Sequence, residues 1–553
     1  MPAAIAYRRA PLLDPAYVSL GDAAVYAAGL QKELTERALG LVDVNRMSAL
    51  DAVLATKLGG YTQAPPMPDV QAAVARLPEG SRDFAETARA AAMIAAMNRD
   101  KEGMLSTLNA MRVFLSALPQ LSEAALFEIG ADMLRLTVDM YRRTGQRFLL
   151  DLLENLRSRL PDVSGVMHMF PFQTAYQPEE GKHAPQEQEY YQRMERFATG
   201  KLTADSAAMT ALLSQYSGSG RDAAAAKVGL TALKRYHGMP TGAFAADPYL
   251  AGRDPARGAE LQAVCAQAEA YLDALLAGGD PVFAEKLESI LVNVLPDYIT
   301  EDGLRTMSPT NRLADDDSCE TAKAEAADVS ALLRALYAVR RAVWLSRDEE
   351  TVAYMLPVSG GCITRVHGIP MRITADVKGV FQQEITLKVE CPRQDVRATL
   401  RLRIPSYADG AQVSINGGQP QQAVQGQMFD VKRAFHTGDI ITLRLSVSPR
   451  METGFRGTAS IYVGAQLMAL ALPGTDVSWR YAVLRSMPMT SVEDGGVPYA
   501  LITACEAPEW REKAGFILPP PQTVPMGAAY ELTLIPFAGT EGRIAAFPCV
   551  TER

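Results

Sequence analysis

The pattern of hydrophobic and polar positions divides the chain into two parts with different periods. Up to about residue 344, apolar and alanine positions recur every three or four residues, which is typical of helices that bury one face. Glycine and proline separate these segments, and no run among them favours a strand. Ten successive helices predict an all-α region built from packed hairpins. They cover residues 24–41, 85–97, 104–118, 124–141, 148–160, 207–216, 223–236, 260–276, 282–295 and 326–344.

After residue 350 the period changes to two, which predicts short strands separated by turns such as Asn416-Gly417-Gly418. Their regular spacing favours an antiparallel β-sandwich. The predicted strands are 351–357, 371–377, 384–389, 398–404, 412–415, 428–431, 440–445 and 459–463. We therefore expect a multidomain α+β protein with a helical domain at 1–348, a sandwich at 349–475, and a β region at 476–553 packed on the sandwich.

Composition and charge narrow the classes of partner. The 553 residues are 48% hydrophobic and 21% charged, which is ordinary for a folded globular protein. The formal net charge of −8 leaves no basic stripe for a phosphate backbone, so we expect no nucleic-acid partner. The sequence leaves open whether the chain forms a homo-oligomer.

The chain shows no targeting or membrane signal. Its first fifteen residues lack the apolar core of a signal peptide, and no run of about 18 uncharged apolar residues occurs. We expect a protein of the cytoplasm without a membrane partner. The six cysteines have no paired spacing, which favours reduced thiols over a disulfide framework.

One stretch carries a dense set of spaced motifs. A loop rich in Gly, Pro and Asp leads into a helix that starts at Glu260, and a second motif-bearing helix follows. The motif residues are His237-Gly238, Pro240, Gly242, Asp247, Gly258, Glu260, Gly279-Asp280-Pro281, Phe283-Ala284, Leu287-Glu288, Ile290, Asn293 and Leu295-Pro296. In these positions the chain resembles glycoside hydrolase family 127, the β-L-arabinofuranosidase family.

The predicted sandwich carries further motifs of the same resemblance. They are Arg403-Ile404-Pro405-Ser406-Tyr407, Asn416-Gly417, Arg433-Ala434-Phe435, Gly438-Asp439 and Gly464-Ala465-Gln466-Leu467. Tyr407 and Phe435 stand where the family usually has tryptophan. The resemblance implies an (α/α)6 toroid with its active site at the mouth, followed by the sandwich.

The resemblance also implies a retaining glycosidase with unusual chemistry. In the family a cysteine thiolate attacks the anomeric carbon. A zinc ion held by three cysteines and a glutamate keeps this thiolate ionised. Another glutamate protonates the leaving oxygen. A metal-bound thiol loses its proton, and the acid must stand opposite the nucleophile, so the arrangement is physically consistent.

The family's metal and nucleophile positions are only partly kept. Its E-x-C pair falls on Glu260 and Gln262, and its doubled cysteine falls near Ser318-Cys319-Glu320. In one register Cys319 is the nucleophile and Glu320 takes the second cysteine position. In the other register Ser318 takes the nucleophile position. The first is preferred because it keeps the thiol and the Thr-Ala dipeptide that follows.

The metal ligands that the resemblance implies are therefore Glu260, Cys319 and Glu320. Gln262 offers only an amide at the fourth position. One sulfur in place of three suits zinc poorly, so we expect no metal or a weakly bound divalent ion. Asp247 is the candidate general acid, one position from the family's glutamate. The alternative interpretations are a turn-stabilising Asp247, a Glu260 paired with Arg257 or Arg253, and an ordinary helix-start cysteine at Cys319 in a solvated acidic loop.

The substrate-binding candidates are His237, Tyr236 and His168. His237 and Tyr236 belong to the motif loop, and His168 lies in an apolar and aromatic segment. The alternatives are a helix-capping role for His237 and core packing for His168.

Three functions remain open from the sequence. The first is a β-L-arabinofuranosidase-like hydrolase of small arabinose-containing glycosides that uses Cys319. The second is a catalytically inactive protein that binds or senses sugars on the same scaffold. The third is a sugar lyase or epimerase, since a fold alone does not fix chemistry. The first requires that the helix starting at 260 and the helix after 319 meet at one hollow.

Overall fold

We describe the fold from a computed structural model. It describes residues 16, 18–19, 26–27, 30–43, 47–60, 63–178, 185–300, 303–313, 321–322, 325–379, 382–472, 479–495, 497–513, 516–538 and 540–550. No helix in these ranges is long and apolar enough to cross a lipid bilayer. The helices are α1 (Leu30–Gly40), α2 (Ala49–Gly59), α3 (Val70–Val74), α4 (Ser81–Asn98), α5 (Lys101–Ala117), α6 (Glu123–Thr144), α7 (Phe148–Arg159), α8 (Val163–Met169), α9 (Pro185–Ala198), α10 (Gly200–Ser217), α11 (Gly220–His237), α12 (Leu261–Gly278), α13 (Val282–Ser289), α14 (Leu295–Tyr298) and α15 (Ala326–Val343).

Six of these helices form a closed inner ring. In ring order they are α2, α4, α6, α10, α12 and α15, and α15 packs back against α2. The outer helices α5, α7, α11 and α13 pack on α4, α6, α10 and α12 respectively. This is the (α/α)6 toroid expected from the resemblance. Its ring helices are buried on most sides, as in the run from Ala204 to Leu213 of α10.

The sequence analysis missed α2, α3, α8 and α9, and its predicted helix at 282–295 stops where α14 begins. The omission of α2 matters because α2 completes the ring. Its apolar residues spread around the whole helix, so the amphipathic period that marks a surface helix is absent. A local signal was present, because the Ser48 side chain and Asp51 form a capping box at its start.

Short strands interrupt the helical part, where the sequence analysis expected none. They are β1 (Val18–Ser19), β2 (Tyr26–Ala27), β3 (Gly258–Glu260), β4 (Leu304–Arg305), β5 (Met307–Pro309) and β6 (Thr321–Ala322). The predicted helix at 24–41 is wrong at its start, because Tyr26 and Ala27 pair with Gly361 and Gly360 of the sandwich. Pairing over more than 300 residues leaves no local pattern from which to predict it.

Two sheets follow the toroid. Their strands are β7 (Trp344–Ser346), β8 (Thr351–Tyr354), β9 (Gly360–Val366), β10 (Ile369–Lys378), β11 (Gln382–Glu390), β12 (Val396–Arg403), β13 (Gly410–Ile415), β14 (Gln421–Ala423), β15 (Met428–Phe435) and β16 (Ile440–Ser446). One sheet has the order β1-β7-β8-β12-β15, and the other β14-β13-β16-β11-β10-β9-β2. Alternate residues of β12 and β16 point inward and are buried, which is the predicted sandwich pattern.

A ten-stranded sheet forms the last part of the chain. Its strands are β17 (Pro449–Thr453), β18 (Ala459–Val463), β19 (Gln466–Ala471), β20 (Tyr481–Val483), β21 (Thr490–Asp494), β22 (Val497–Glu506), β25 (Thr523–Val524), β26 (Ala529–Pro536), β27 (Arg543–Ile544) and β28 (Cys549–Val550), while β23 (Glu512–Lys513) and β24 (Phe516–Ile517) form a separate hairpin. The large sheet takes strands from both sides of residue 475.

Several of the motif residues on which the family resemblance rests connect the domains. Glu288 of α13 accepts hydrogen bonds from Arg403 and, over 2.6 Å, from Tyr407 Oη, both in the sandwich. The Asn293 side chain accepts from Leu467 N at 2.8 Å and donates to Ala465 O at 2.9 Å. These motif residues therefore fix the sandwich and the last sheet against the toroid.

Candidate functional site

The N-terminal halves of five ring helices surround one cavity of about 270 Å³. It is lined by Ser48, Asp51, Arg82, Glu86, Lys201, Asp205, Gln262, Cys265, Ala266, Glu269, Ala326, Ala327, Ser330, Ala331 and Arg334. A second cavity is lined by the C-terminal halves of ring helices, so the ring helices run in the same direction. The first cavity is the mouth of the toroid at the helix N-termini, where partial positive charge favours acidic groups.

The loop before α12 places Asp247 beside Glu260. Ala246 N donates to Gly258 O and Glu260 N donates to Ala246 O, each over 3.0 Å. Strand β3 is held from its other side by β5, where Glu260 pairs with Met307. These backbone bonds position both carboxyl groups at the start of α12.

Glu260 is the half-buried carboxyl of the group. Burial, together with the negative charges of Asp247 and Asp328, raises the pKa of Glu260 above its usual value. Its side chain does not cap α12 and makes no ion pair within the described residues. A carboxyl in this environment keeps its proton to higher pH than an exposed glutamate, which is the property of a general acid.

Asp247 is paired with Arg257. Arg257 Nε donates to Asp247 Oδ2 over 2.6 Å, and Arg257 Nη2 donates to Oδ1. The Asp247 side chain is 15% exposed. The two carboxyl groups thus have different environments, since Asp247 has a cation and Glu260 has neighbouring anions. The expected alternative pairing of Arg257 with Glu260 is replaced by this bidentate pair.

The first turns of α12 and α15 meet at the mouth. Gln262 Nε2 donates to Asp328 Oδ1 over 3.3 Å, and residues of both helix starts line the cavity. Gln262 and Ala326 thus bring the first turns of α12 and α15 to one cavity, while Glu260 and Asp247 stand beside it and are not among its lining residues.

Cys319 and Glu320 lie outside the described residues, as does Ser318. The neighbouring described strand is β6, in which Thr321 and Ala322 pair with Arg305 and Leu304. The roles of Cys319 and Glu320 as nucleophile and ligand stay predictions.

Among the cavity groups that the sequence analysis did not propose, a thiol and a carboxyl have raised pKa values. Cys265 lies one turn after Gln262 on the same face of α12, and burial raises the pKa of its thiol well above the usual value. Glu86 of α4 is also in the wall, and burial, outweighing Arg334 and Arg82, raises its pKa. Helical spacing from Gln262 was a signal for Cys265. No comparable signal marked Glu86, because α4 is distant from α12 in the sequence.

A layer of ion pairs closes the floor of the cavity. Arg334 Nη2 contacts Asp132 at 2.6 Å and Glu269 at 2.9 Å, and Arg89 contacts the same two carboxylates at 2.7 and 3.0 Å. Burial alone would raise the pKa of Glu269, but Arg135, Arg334 and Arg89 outweigh it and lower the pKa to about 2. The Glu269 carboxylate in the floor is therefore ionised at neutral pH.

The three substrate-binding candidates lie apart from this cavity wall. His237 is fully buried, with Nε2 donating to Phe172 O at 2.7 Å and Nδ1 accepting from Gly252 N at 3.0 Å. Both ring nitrogens are thus used to hold backbone. Tyr236 stacks on Phe170 with ring centroids 6.3 Å apart. His168 is exposed at the end of α8, which differs from the core-packing alternative.

Most of the predicted metal ligands, Cys319 and Glu320, lie outside the described residues, so the metal site stays a prediction. Of the predicted ligands only Glu260 is described, and Gln262 uses its amide nitrogen to bind Asp328. Within the described ranges no group of three or more His, Cys, Asp or Glu side chains is arranged to hold a metal ion. We therefore derive no step through a metal.

Comparisons with known proteins agree with this architecture. Residues 356–447 match the family model described as Beta-L-arabinofuranosidase, GH127 middle domain. No curated protein matches the sequence. A solved structure described as a glycoside hydrolase superposes with a TM-score of 0.70 at 14% identity, covering 98% of this chain and 99% of that chain.

Two further solved structures are GH127 enzymes by description. A β-arabinofuranosidase gives a TM-score of 0.59 at 13% identity and covers 97% of this chain and 98% of its own. A β-L-arabinofuranosidase from Geobacillus stearothermophilus T6 gives 0.61 at 15% identity and covers 96% and 91%. Residues 356–447 are therefore similar to the GH127 middle domain, and the chain as a whole has the fold of these solved structures.

Proposed function

We propose that the chain is a glycoside hydrolase that cleaves small β-L-arabinofuranosides at the mouth of the toroid. The observation that carries the proposal is Glu260, a half-buried carboxyl with a raised pKa beside the ion-paired Asp247. In glycosidases, two carboxyl groups in different electrostatic environments divide the acid and base roles between them. The family described for residues 356–447 and for the similar structures supports the sugar class.

In the proposed reaction Glu260 protonates the leaving glycosidic oxygen. The Cys319 thiolate attacks the anomeric carbon, the glycosidic bond breaks, and a thioglycosyl intermediate forms. The ionised Glu260 then removes a proton from water as the water displaces the thiolate. The sugar is released with its anomeric configuration retained, and Glu260 and the thiolate are regenerated. Glu260 is preferred to Asp247 as the acid because Arg257 is bonded to Asp247.

The size of the mouth favours a small substrate. A cavity of about 270 Å³ is at the lower end of ligand pockets and suits one or two sugar residues. Its polar wall, with Asp51, Lys201, Asp205 and Gln262, offers both donors and acceptors for sugar hydroxyls.

The test is release of 4-nitrophenol from its β-L-arabinofuranoside, with the α-anomer as a comparison substrate. We expect activity on the β-anomer, a loss of at least 100-fold in Glu260→Gln, and a comparable loss in Cys319→Ser. Glu102→Gln is the matched control, because Glu102 is an exposed glutamate in the first turn of the outer helix α5. Retention is read from the first-formed anomer by NMR. An unaffected Glu260→Gln variant would remove Glu260 from the chemistry.

A sugar-binding protein without turnover is the second candidate. It is favoured by Gln262, an amide bonded to Asp328 where the resemblance implies a cysteine. Calorimetry with L-arabinose and its methyl β-furanoside would then show saturable binding that Gln262→Ala weakens, while a panel of glycosides shows no hydrolysis.

A further inference from the structure

A second cleft lies between the toroid and the last sheet, away from the mouth. It consists of two adjoining cavities of about 160 and 170 Å³ that share Lys234, Met239, Pro240, Glu452 and Tyr462. None of their lining residues lines the mouth cavity. We call these two cavities the interdomain cleft.

Strand β18 turns one row of side chains toward this cleft. Ala459, Ile461 and Val463 belong to the core of the last sheet. Because side chains alternate along a strand, Ser460 and Tyr462 face the other way, toward the toroid. Tyr462 Oη donates to Pro240 O at 2.7 Å, which confirms that direction.

The cleft wall contains buried polar atoms without partners. Thr458 and Ser460 are 1% and 2% exposed, and their hydroxyl oxygens have no hydrogen-bond partner in the described chain. The same holds for Arg253 Nε on the opposite wall. Buried polar groups are almost always hydrogen-bonded, so three unpartnered ones on one small cavity point to a ligand site.

The chemistry of the wall identifies the ligand class. Arg253 and Lys234 only donate hydrogen bonds and carry positive charge, and two hydroxyls add further donors. A group with several charged acceptor oxygens satisfies this set better than a neutral sugar. Two carboxylates also line the cleft, and each has a cation beside it. Glu452 is exposed and lies 3.4 Å from Arg450 Nε, and Glu285 lies 3.6 Å from Arg403 Nη1.

We propose that the interdomain cleft binds a phosphate group, held by Arg253, Lys234, Thr458 and Ser460. The phosphate is either free or carried by a small sugar phosphate whose sugar occupies the adjoining cavity. A volume of about 160 Å³ admits one phosphate group and excludes a nucleotide. A guanidinium and an ammonium are the usual protein partners of phosphate oxygens.

Lys286 of the adjoining cavity supports the assignment. Burial and the like charge of Lys234 outweigh the nearby carboxylates of Glu285 and Glu452 and lower the pKa of Lys286 to about 8. Lys234 and Lys286 line the adjoining cavity together. An anion beside them relieves the repulsion, because it stabilises both ammonium groups.

The experiment titrates the full chain with inorganic phosphate, arabinose 5-phosphate and arabinose, and follows binding by calorimetry and by the unfolding temperature. We expect saturable binding of a phosphate-bearing probe that weakens at least tenfold in the double variant Arg253→Gln, Ser460→Ala. Arg365→Gln is the control, because Arg365 is an exposed arginine on β9. Binding of inorganic phosphate alone identifies free phosphate, and binding of only the sugar phosphate identifies the larger ligand.

Two further measurements test phosphate binding at the cleft even if the double variant is unstable. Thr458→Val and Ser460→Ala remove hydroxyls that make no hydrogen bond, so without phosphate each should unfold no earlier than the natural chain. Phosphate should also slow acetylation of Lys286 at pH 8. No saturable phosphate binding, equal affinity in the double variant, or equal binding of arabinose would overturn the proposal.

Discussion

Gln262 and Asp328 join two ring helices at the mouth through a hydrogen bond of 3.3 Å from Nε2 to Oδ1. The bond places the Asp328 carboxylate near Glu260, where its charge contributes to the raised pKa of Glu260. The contact links the geometry of the mouth to the protonation of the proposed acid.

Asp328→Asn should shift the pH dependence of hydrolysis. Removing one negative charge lowers the pKa of Glu260 toward its usual value, so the proton needed for leaving-group protonation is lost at lower pH. We expect the alkaline limb of the kcat profile to move to lower pH, with little change at acidic pH. Asp376→Asn, at an exposed site on β10, is the control. A limb that stays in place would mean that Glu260 is not the titrating acid.

Glu269→Ala should destabilise the toroid strongly. Arg89, Arg135 and Arg334 would lose a shared buried carboxylate, and a broken buried pair costs about 3–5 kcal/mol. The measurement is the free energy of unfolding in urea. Asp139→Ala, which breaks the more exposed pair of Asp139 with Arg143, should cost about 0–1 kcal/mol. Equal effects of the two variants would contradict the structural importance of the floor.

Stability should fall as the pH drops below 6.5 in part because of His237. Burial lowers the pKa of His237, so between the ordinary value of 6.5 and the lower folded value only the unfolded chain binds the proton. His237→Ala should remove this dependence. It should also destabilise the protein at pH 8 by about 3 kcal/mol, because Phe172 O and Gly252 N lose their partner. Sugar affinity lost without a change in stability would instead support contact between His237 and substrate.

Alkylation should distinguish the proposed nucleophile from the other thiols. The described cysteines, at positions 265, 362, 391, 505 and 549, are buried, and the pKa of the Cys265 thiol is well above its usual value. Iodoacetamide at pH 7 should therefore modify Cys319 first, at least tenfold faster than Cys265, because thiolates are the reactive form. Peptide mass spectrometry gives the sites, and Cys391→Ser is the control. Preferential labelling of Cys265 would contradict the assignment.

The motifs predicted the fold better than they predicted the roles of individual residues. Glu288 and Asn293 belong to the motif helix, yet both hold the sandwich and the last sheet to the toroid. His237 belongs to the motif loop and holds backbone on both sides. A motif records that a residue type is required, while its reason depends on what packs against it.

The sequence by itself determined the long amphipathic helices, the change of period near residue 350, and the placement of Glu260 at a helix start, because these depend on local periodicity and local chemistry. Only the tertiary structure decided which helices form the inner ring, and with them the meeting of Glu86, Gln262, Cys265 and Asp328 at the mouth. It also decided that Arg257 pairs with Asp247 and leaves Glu260 among anions. These contacts join residues far apart in the chain, and their energies depend on burial, which no single segment encodes.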